Sequence, residues 1–262
     1  MRLYLIRTDA FALISDKEYY ISGESFFQVN KFITSKMYDL IKEENIYPQG
    51  TAVSIGGFDG PHRGHELILS AVLKAAQRKA IPAGIITFFR SPRSVKAGST
   101  YAGDVSTLEM RLQKFAEQGF SFTVLIDFSA DFAKMKGTVF FDILIKTICI
   151  KYLAVGSDFT CGYRHDTGVG DLQRLARERG FCFDSIEQLY SAQHERISSS
   201  AIRQAVEQAD FTLAKDLLGY PFFLDVAKIV PRRETAVWSI EKPAVTQILP
   251  QNGTYSARAY LQ

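Results

Sequence analysis

Ser54-Ile55-Gly56-Gly57-Phe58-Asp59-Gly60-Pro61-His62-Arg63-Gly64-His65 sets two of the chain's four histidines three residues apart, directly behind a glycine-rich run. Immediately before it, Thr51-Ala52-Val53-Ser54-Ile55 suits a short buried strand. After it, residues 66–79 carry Leu67, Ile68, Ala71, Val72 and Ala75 at helical spacing. The block reads strand, glycine turn, helix, with His62 and His65 at the helix entrance. Glycines there let the backbone turn sharply and approach a ligand with no Cβ in the way. Unpaired amides and the positive end of the helix dipole favour phosphate oxygens. Two imidazoles beside them can donate hydrogen bonds to charge that grows during displacement at phosphorus. A histidine pair outside such a setting reads as packing or surface; strand, glycines and helix together point to phosphate chemistry.

Working outward, strands and helices alternate. Residues 83–88 read as a second buried strand, and Ser106-Thr107-Leu108-Glu109 as a capping box opening a helix through Gln118. Residues 122–126 form a strand, 139–147 an apolar helix, and 152–155 a strand that delivers Gly156-Ser157-Asp158 to a loop. A helix at 172–179 and a short strand at 181–183 follow. This order predicts an α/β fold with a doubly wound, mainly parallel sheet and a ligand crevice at the carboxyl ends of its strands. The main domain spans 51–221. Residues 1–50 form an N-terminal extension in which Phe27, Phe32, Ile33, Met37, Leu40 and Ile41 predict a helix over 25–45. Residues 222–262 carry β-prone runs at 222–230, 235–240 and 253–261, and predict a small β segment.

Composition narrows the class. With 262 residues, 47% hydrophobic and 23% charged, the chain fits a soluble globular protein with a substantial core. A net charge of +3 suits anionic small molecules and gives no case for nucleic acid. Cys149, Cys161 and Cys182 are odd in number and too far apart for a C-x-x-C site, which argues against structural zinc and a disulfide framework. The run Leu3-Tyr4-Leu5-Ile6 is broken at once by Arg7 and Asp9, unlike a signal peptide, and no stretch is long and apolar enough to cross a bilayer. The expectation is a cytoplasmic protein with no membrane or nucleic-acid partner and an open oligomeric state.

A second polar cluster lies at Ile197-Ser198-Ser199-Ser200-Ala201-Ile202-Arg203. Ser198 suits the cap of a helix starting near Ser199, and Ser199 and Arg203, spaced i and i+4, share a helical face. Hydroxyls and first-turn amides of that helix can bind phosphate, and the guanidinium can neutralise it. Taken alone, the cluster reads equally as a capped helix with a solvated arginine.

H-x-G-H in this setting resembles the nucleotidyltransferase superfamily, a Rossmann-like group. The fuller string from Gly57 to His65 resembles the first motif of bacterial FAD synthetases, in their FMN adenylyltransferase module. Ala154-Val155-Gly156-Ser157-Asp158-Phe159-Thr160-Cys161-Gly162 is similar to that family's flavin-side motif, Ile197 to Arg203 to its I-S-S-T-x-x-R motif, and Leu217-Leu218-Gly219-Tyr220-Pro221-Phe222 to the end of the module. The resemblance runs from Ala52 to Phe222. It departs from the family at two points. Ser200 replaces the usual threonine, and Thr87-Phe88-Phe89-Arg90-Ser91-Pro92-Arg93 alters the middle of T-F-x-P-x-P-R.

The resemblance implies transfer of AMP from ATP to FMN, giving FAD and pyrophosphate. It implies phosphate contacts from His62, His65 and Arg203. Gly57, Phe58, Gly64, Ser199 and Ser200 line the ATP, and Phe88, Pro92, Arg93, Asp158 and Phe159 the flavin. Asp158 reads equally as a solvated loop residue, and Phe159 as core. Mg2+ is expected with the ATP, held by phosphates and water, and no carboxylate cage for a metal is evident. Bifunctional relatives continue into a riboflavin kinase barrel whose early motif, G-R-x-L-G-F-P-T-A-N, has no match in residues 230–239. About forty residues after Phe222 are too few for such a barrel, given strands of ~5–6 residues. The tail reads as a vestigial kinase segment without kinase activity. Two alternatives stay open: a nucleotidyltransferase for another phosphorylated acceptor, and a non-catalytic flavin- or nucleotide-binding regulator.

Overall fold

Short runs of branched and aromatic residues make the strands, and helices of helical apolar spacing connect them. The computed structural model describes residues 2–7, 46–89, 101–127, 134–190, 196–226, 229, 232–234 and 237–259. In chain order the strands are β1 (Arg2–Arg7), β2 (Thr51–Ile55), β3 (Ala83–Phe88), β4 (Phe122–Asp127), β5 (Ile150–Gly156), β6 (Thr160–Cys161), β7 (Thr167–Gly168), β8 (Cys182–Ile186), β9 (Arg232–Glu234) and β10 (Val237–Ser239). The α-helices are α1 (Arg63–Lys79), α2 (Leu108–Glu117), α3 (Gly137–Ile148), α4 (Val169–Arg179), α5 (Ser199–Glu207) and α6 (Phe211–Leu218).

The central sheet runs β1-β4-β3-β2-β5-β8, with β1 antiparallel on β4 and every other neighbour pair parallel. From β2 the chain steps outward to β3 and β4, then returns across β2 to β5 and β8. The order therefore reverses between β2 and β5, and the crevice of a doubly wound sheet opens there at the carboxyl ends. The α/β doubly wound architecture expected from the alternation is the one observed. No helix among the described residues is long and apolar enough to cross a membrane.

β2 shows why both faces must be covered, since all five of its residues are buried. Val53 and Ile55 face a cluster with Ile86, Phe141, Leu144, Leu153 and Leu172 under α3 and α4. Ala52 faces the opposite cluster with Leu69, Val72, Ile85 and Phe115 under α1 and α2. Thr51, one of the two polar residues of β2 with Ser54, donates its hydroxyl to the Ile148 carbonyl at 2.9 Å. A third cluster, built by Ile202, Val206, Leu217 and Leu218 of α5 and α6, takes in Val105 and Ile248.

Some local expectations are corrected. Thr107, not Ser106, caps α2, accepting from the Met110 amide; Ser106 is held back in the preceding loop, where its own amide donates to Asp59. Among the described residues of the tail, strands form at β9 and β10, the second inside the run at 235–240, and the two pair as a hairpin. Residues 222–226 and 253–259 form none. The apolar run near the N-terminus contributes β1, pairing Leu3 with Ile126 and Leu5 with Val124. The helix expected over 25–45 lies outside the described residues.

Gly84 of β3 pairs with Phe122 of β4, and a Cβ on Gly84 would stand 2.1 Å from the Phe122 ring. That ring is fully buried and stacks on Tyr47 at 4.6 Å, so it has little freedom to yield. Gly84→Ala is expected to destabilise the fold by about 1–3 kcal/mol, the usual cost of overpacking. Adding Phe122→Leu should recover part of that loss in urea unfolding. Strictly additive losses would show that the two residues do not compete for the same space.

Candidate active site

The chain leaves β2 through Gly56 and Gly57 and enters α1 at His62, its N-cap in extended conformation. The turn is anchored from beneath. The Gly57 carbonyl accepts hydrogen bonds from Thr87 Oγ1 at 3.0 Å and from Arg111 Nη1 at 3.1 Å. Arg111 is buried and also reaches Thr87 Oγ1 and the Phe88 carbonyl, so it ties the ends of β2 and β3 together. Phe58 then adopts φ +46°, a left-handed conformation of order 1–3 kcal/mol above the ordinary regions for a bulky residue. Its ring, 2% exposed and edge-on to both Phe115 and His65, holds it there.

The two histidines lie face to face, with ring centroids 3.7 Å apart and planes inclined by 21°. The His65 amide donates to the His62 carbonyl at 2.8 Å, and His65 Nδ1 faces the His62 amide at 3.4 Å, a long contact. Acceptance at Nδ1 leaves the proton of a neutral His65 on Nε2. His62 Nδ1 is buried with no hydrogen-bond partner among the described residues, the kind of orphan a ligand satisfies. Burial, helped by the positive charge of Arg196, pulls the His62 pKa from 6.5 down to about 4. Desolvation, then the neighbouring His62, holds His65 well below its ordinary value too. At neutral pH both rings are uncharged donors.

The glycines divide by role. At Gly57 a Cβ would meet nothing within 4 Å among the described residues beyond its chain neighbours, in contrast to Gly64. At Gly64 a Cβ would lie 3.0 Å from both the His62 ring and the Ile197 carbonyl. There the close approach is made by the chain entering α5.

Asp59 joins the two motifs. Its buried carboxylate accepts from the amides of Val105, at 2.9 Å, and Ser106, at 3.1 Å, and pairs with Arg203 of α5. Its backbone carbonyl accepts the Ser199 hydroxyl at 2.8 Å. Ser199 and Arg203, on one face of α5, therefore grip the same residue of the first turn. Arg203 also donates from Nε to the Gly103 carbonyl at 2.9 Å and lies 5.6 Å from the Tyr101 ring centroid. Ser198 caps α5 as expected, accepting from the Ala201 amide, and Ser200 is exposed in its first turn.

On the other side of the crevice, Phe88 ends β3, half-buried. Pro92 and Arg93, with Arg90 and Ser91, lie outside the described residues. Asp158 is exposed in the loop after β5 and pairs with Arg196, linking that loop to the chain before α5. Phe159 packs on the α3 side of the core, edge-on to Phe141, and not beside the histidine pair.

Sequence reasoning passed over Asp59, Arg111 and Arg196. The visible signal for Asp59 was an acidic residue inside a glycine-rich turn. For the others, partners distant in sequence left none.

The family model for FAD synthetase matches residues 44–201. The bifunctional riboflavin kinase/FMN adenylyltransferase of Escherichia coli K12 is 30% identical over 213 residues, covering 79% of this chain and 67% of the relative. The bifunctional protein of Bacillus subtilis 168 is 27% identical over 230 residues, 85% of this chain and 70% of the relative. Among solved structures, the crystal structure of a macrolide-efflux protein from Streptococcus pneumoniae superposes with a TM-score of 0.60 at 28% identity. That match covers 66% of this chain and 57% of the other. The chain thus spans about two-thirds of the length of the bifunctional relatives.

The depressed histidines set a pH dependence. Both folded-state pKa values lie below the unfolded 6.5, so the unfolded chain takes up protons first as pH falls. The contribution of His62 to stability is whole above pH 6.5 and is lost as pH falls through about 4, and that of His65 is lost in the same direction. The melting temperature is expected to fall over that window, and His62→Asn should flatten the slope. An unchanged slope would mean the His62 ring is hydrated in the folded protein.

Proposed function

Since the chain belongs to the FAD synthetase family, we propose that it is an FMN adenylyltransferase, forming FAD and pyrophosphate from FMN and Mg-ATP, without riboflavin kinase activity. An FMN phosphate oxygen attacks the α-phosphorus of ATP, the bond to the β-phosphate oxygen breaks, and pyrophosphate leaves. The nucleophile is already ionised at neutral pH, so no strong general base is required. Catalysis rests on positioning and on stabilising negative charge that spreads over the transferring phosphoryl.

The observation that carries this reading is the stacked, neutral histidine pair at the start of α1, beside the reversal point of the sheet. His62 and His65 donate to the triphosphate, with the Nε2 proton of His65 and the orphaned Nδ1 of His62 as the groups in play. Gly57 keeps the mouth clear, and Phe58 holds the turn. Gly64 lets α1 and the entrance of α5 close together. The first turn of α5, with Ser199 and Ser200, supplies amides and hydroxyls. Arg203 serves the phosphate end, where bound triphosphate competes with Asp59 for its guanidinium. Phe88, Pro92, Arg93, Asp158 and Phe159 are assigned to the flavin side, Phe159 through packing of the loop after β5.

Among the described residues no group of three or more His, Cys, Asp or Glu side chains forms a metal cage. Asp59 is taken by Arg203 and two amides, and Asp158 by Arg196. That donor set fits Mg2+ arriving with ATP and held mostly by phosphate oxygens and water.

Purified protein incubated with Mg-ATP and FMN should yield FAD on flavin chromatography, whereas riboflavin with Mg-ATP should yield neither FMN nor FAD. FMN made from riboflavin would refute the assignment of the tail, and absence of FAD from FMN would refute the transferase itself.

Separate expectations attach to the phosphate-binding residues. His65→Ala should lose roughly 10²–10³-fold in turnover, the scale of one lost transition-state donor, with FMN binding nearly unchanged. Arg203→Ala should raise KM for ATP more than for FMN. It should also lower the melting temperature, because the buried Asp59 carboxylate loses its countercharge. A His65→Ala protein with full turnover once kept cold would make this histidine structural.

A further inference from the structure

Gln247 lies in the tail, 142 residues from its partner Val105, yet it is 3% exposed and every polar group of its amide is used. Nε2 donates to the Val105 carbonyl at 3.0 Å and to the Phe223 carbonyl at 2.8 Å, and Oε1 accepts from the Asp225 amide at 2.6 Å. The flanking backbone repeats the attachment. The Asp104 amide donates to the Thr246 carbonyl at 3.1 Å, and the Ile248 amide to the Asp104 carbonyl at 2.8 Å. Gly103, at φ +121°, lies so close that a Cβ would stand 2.6 Å from the Ile248 amide nitrogen.

The loop held in this way is the one that holds the site. The amides of Val105 and Ser106 bind the Asp59 carboxylate, Ser106 Oγ accepts the Gly60 amide at 2.8 Å, and the Gly103 carbonyl accepts Arg203 Nε. One face of residues 103–106 thus touches the tail, and the other touches the turn leading to His62 and the guanidinium from α5. We propose that Gln247 is a positioning residue for ATP, holding through this loop the turn that carries His62 and His65 and the orientation of Arg203. The inference rests on the adenylyltransferase reading for its kinetic consequence, but not for the mechanical coupling.

Gln247→Met keeps the volume and removes all three hydrogen bonds of the side-chain amide. Gln247→Glu sets an acceptor against both carbonyls, so it is the harsher change. In the full chain, Gln247→Met should raise KM for ATP roughly 10-fold, the scale of a lost buried hydrogen bond, and Gln247→Glu should raise it more. KM for FMN should stay near wild type. Hydrogen exchange at the Gly60, Val105 and Ser106 amides should accelerate in both. Ile148→Val, at the far end of α3, serves as a stability control and should lower the melting temperature with KM for ATP unchanged. Gln247→Met with unchanged KM for ATP and unchanged exchange at Gly60 would overturn the proposal, whatever its melting temperature. If the wild type makes no FAD, the transferase reading fails. Exchange at Gly60, with titration by a non-hydrolysable ATP analogue, then decides the coupling alone, and unchanged values in Gln247→Met would overturn it.

Discussion

The buried Asp59 carboxylate is the point on which the site's geometry depends. A lone carboxylate removed from water is costly, and here it is satisfied by two adjacent backbone amides and a guanidinium brought from two distant segments of the chain. Each partner is thereby constrained as well. The amides fix residues 105–106, the guanidinium fixes the rotation of α5, and the Asp59 backbone takes the Ser199 hydroxyl. Removing water makes the arrangement demanding, because any partner that drifts leaves a charge uncompensated. The same demand gives the turn before α1 one position relative to α5.

Burial also decides the electrostatics at the histidines. Two imidazoles stacked at 3.7 Å cannot both be protonated cheaply, and desolvation already favours the neutral rings. Positive charge at this end of the sheet comes instead from Arg196 and Arg203, and from the amide end of α1. Donation and charge are thus supplied by different groups.

The turn itself is held against its own preference. Phe58 in a left-handed conformation is tolerated because its ring is locked between Phe115 and His65, and because Arg111 and Thr87 pin the Gly57 carbonyl. Strain of this kind persists only where the surroundings over-determine the backbone. Two of the four glycines in the motif answer opposite needs, Gly57 leaving space empty and Gly64 letting protein fill it.

The five parallel strands of the sheet, the helices α1 to α5 and the position of the histidine pair were legible in the amino-acid sequence, because each depends on neighbours within a few residues. Alternating strand and helix patterns implied the doubly wound sheet, which in turn implied where its crevice lies. The Ser198 cap and the i, i+4 relation of Ser199 and Arg203 were local in the same sense. What Arg203 touches was not, since Asp59 lies 144 residues away. The capping role of Thr107 was misread as that of Ser106, because the Ser106 amide and hydroxyl are claimed by Asp59 and Gly60, which no local pattern reveals. The tail read as a β segment from composition, yet Gln247 packs on residues 103–105 through side-chain and backbone bonds that only the folded chain brings within reach. Local periodicity encodes elements. The pairing of buried polar groups is settled only when those elements exclude water together, and in this protein that pairing joins the turn before α1 to the start of α5.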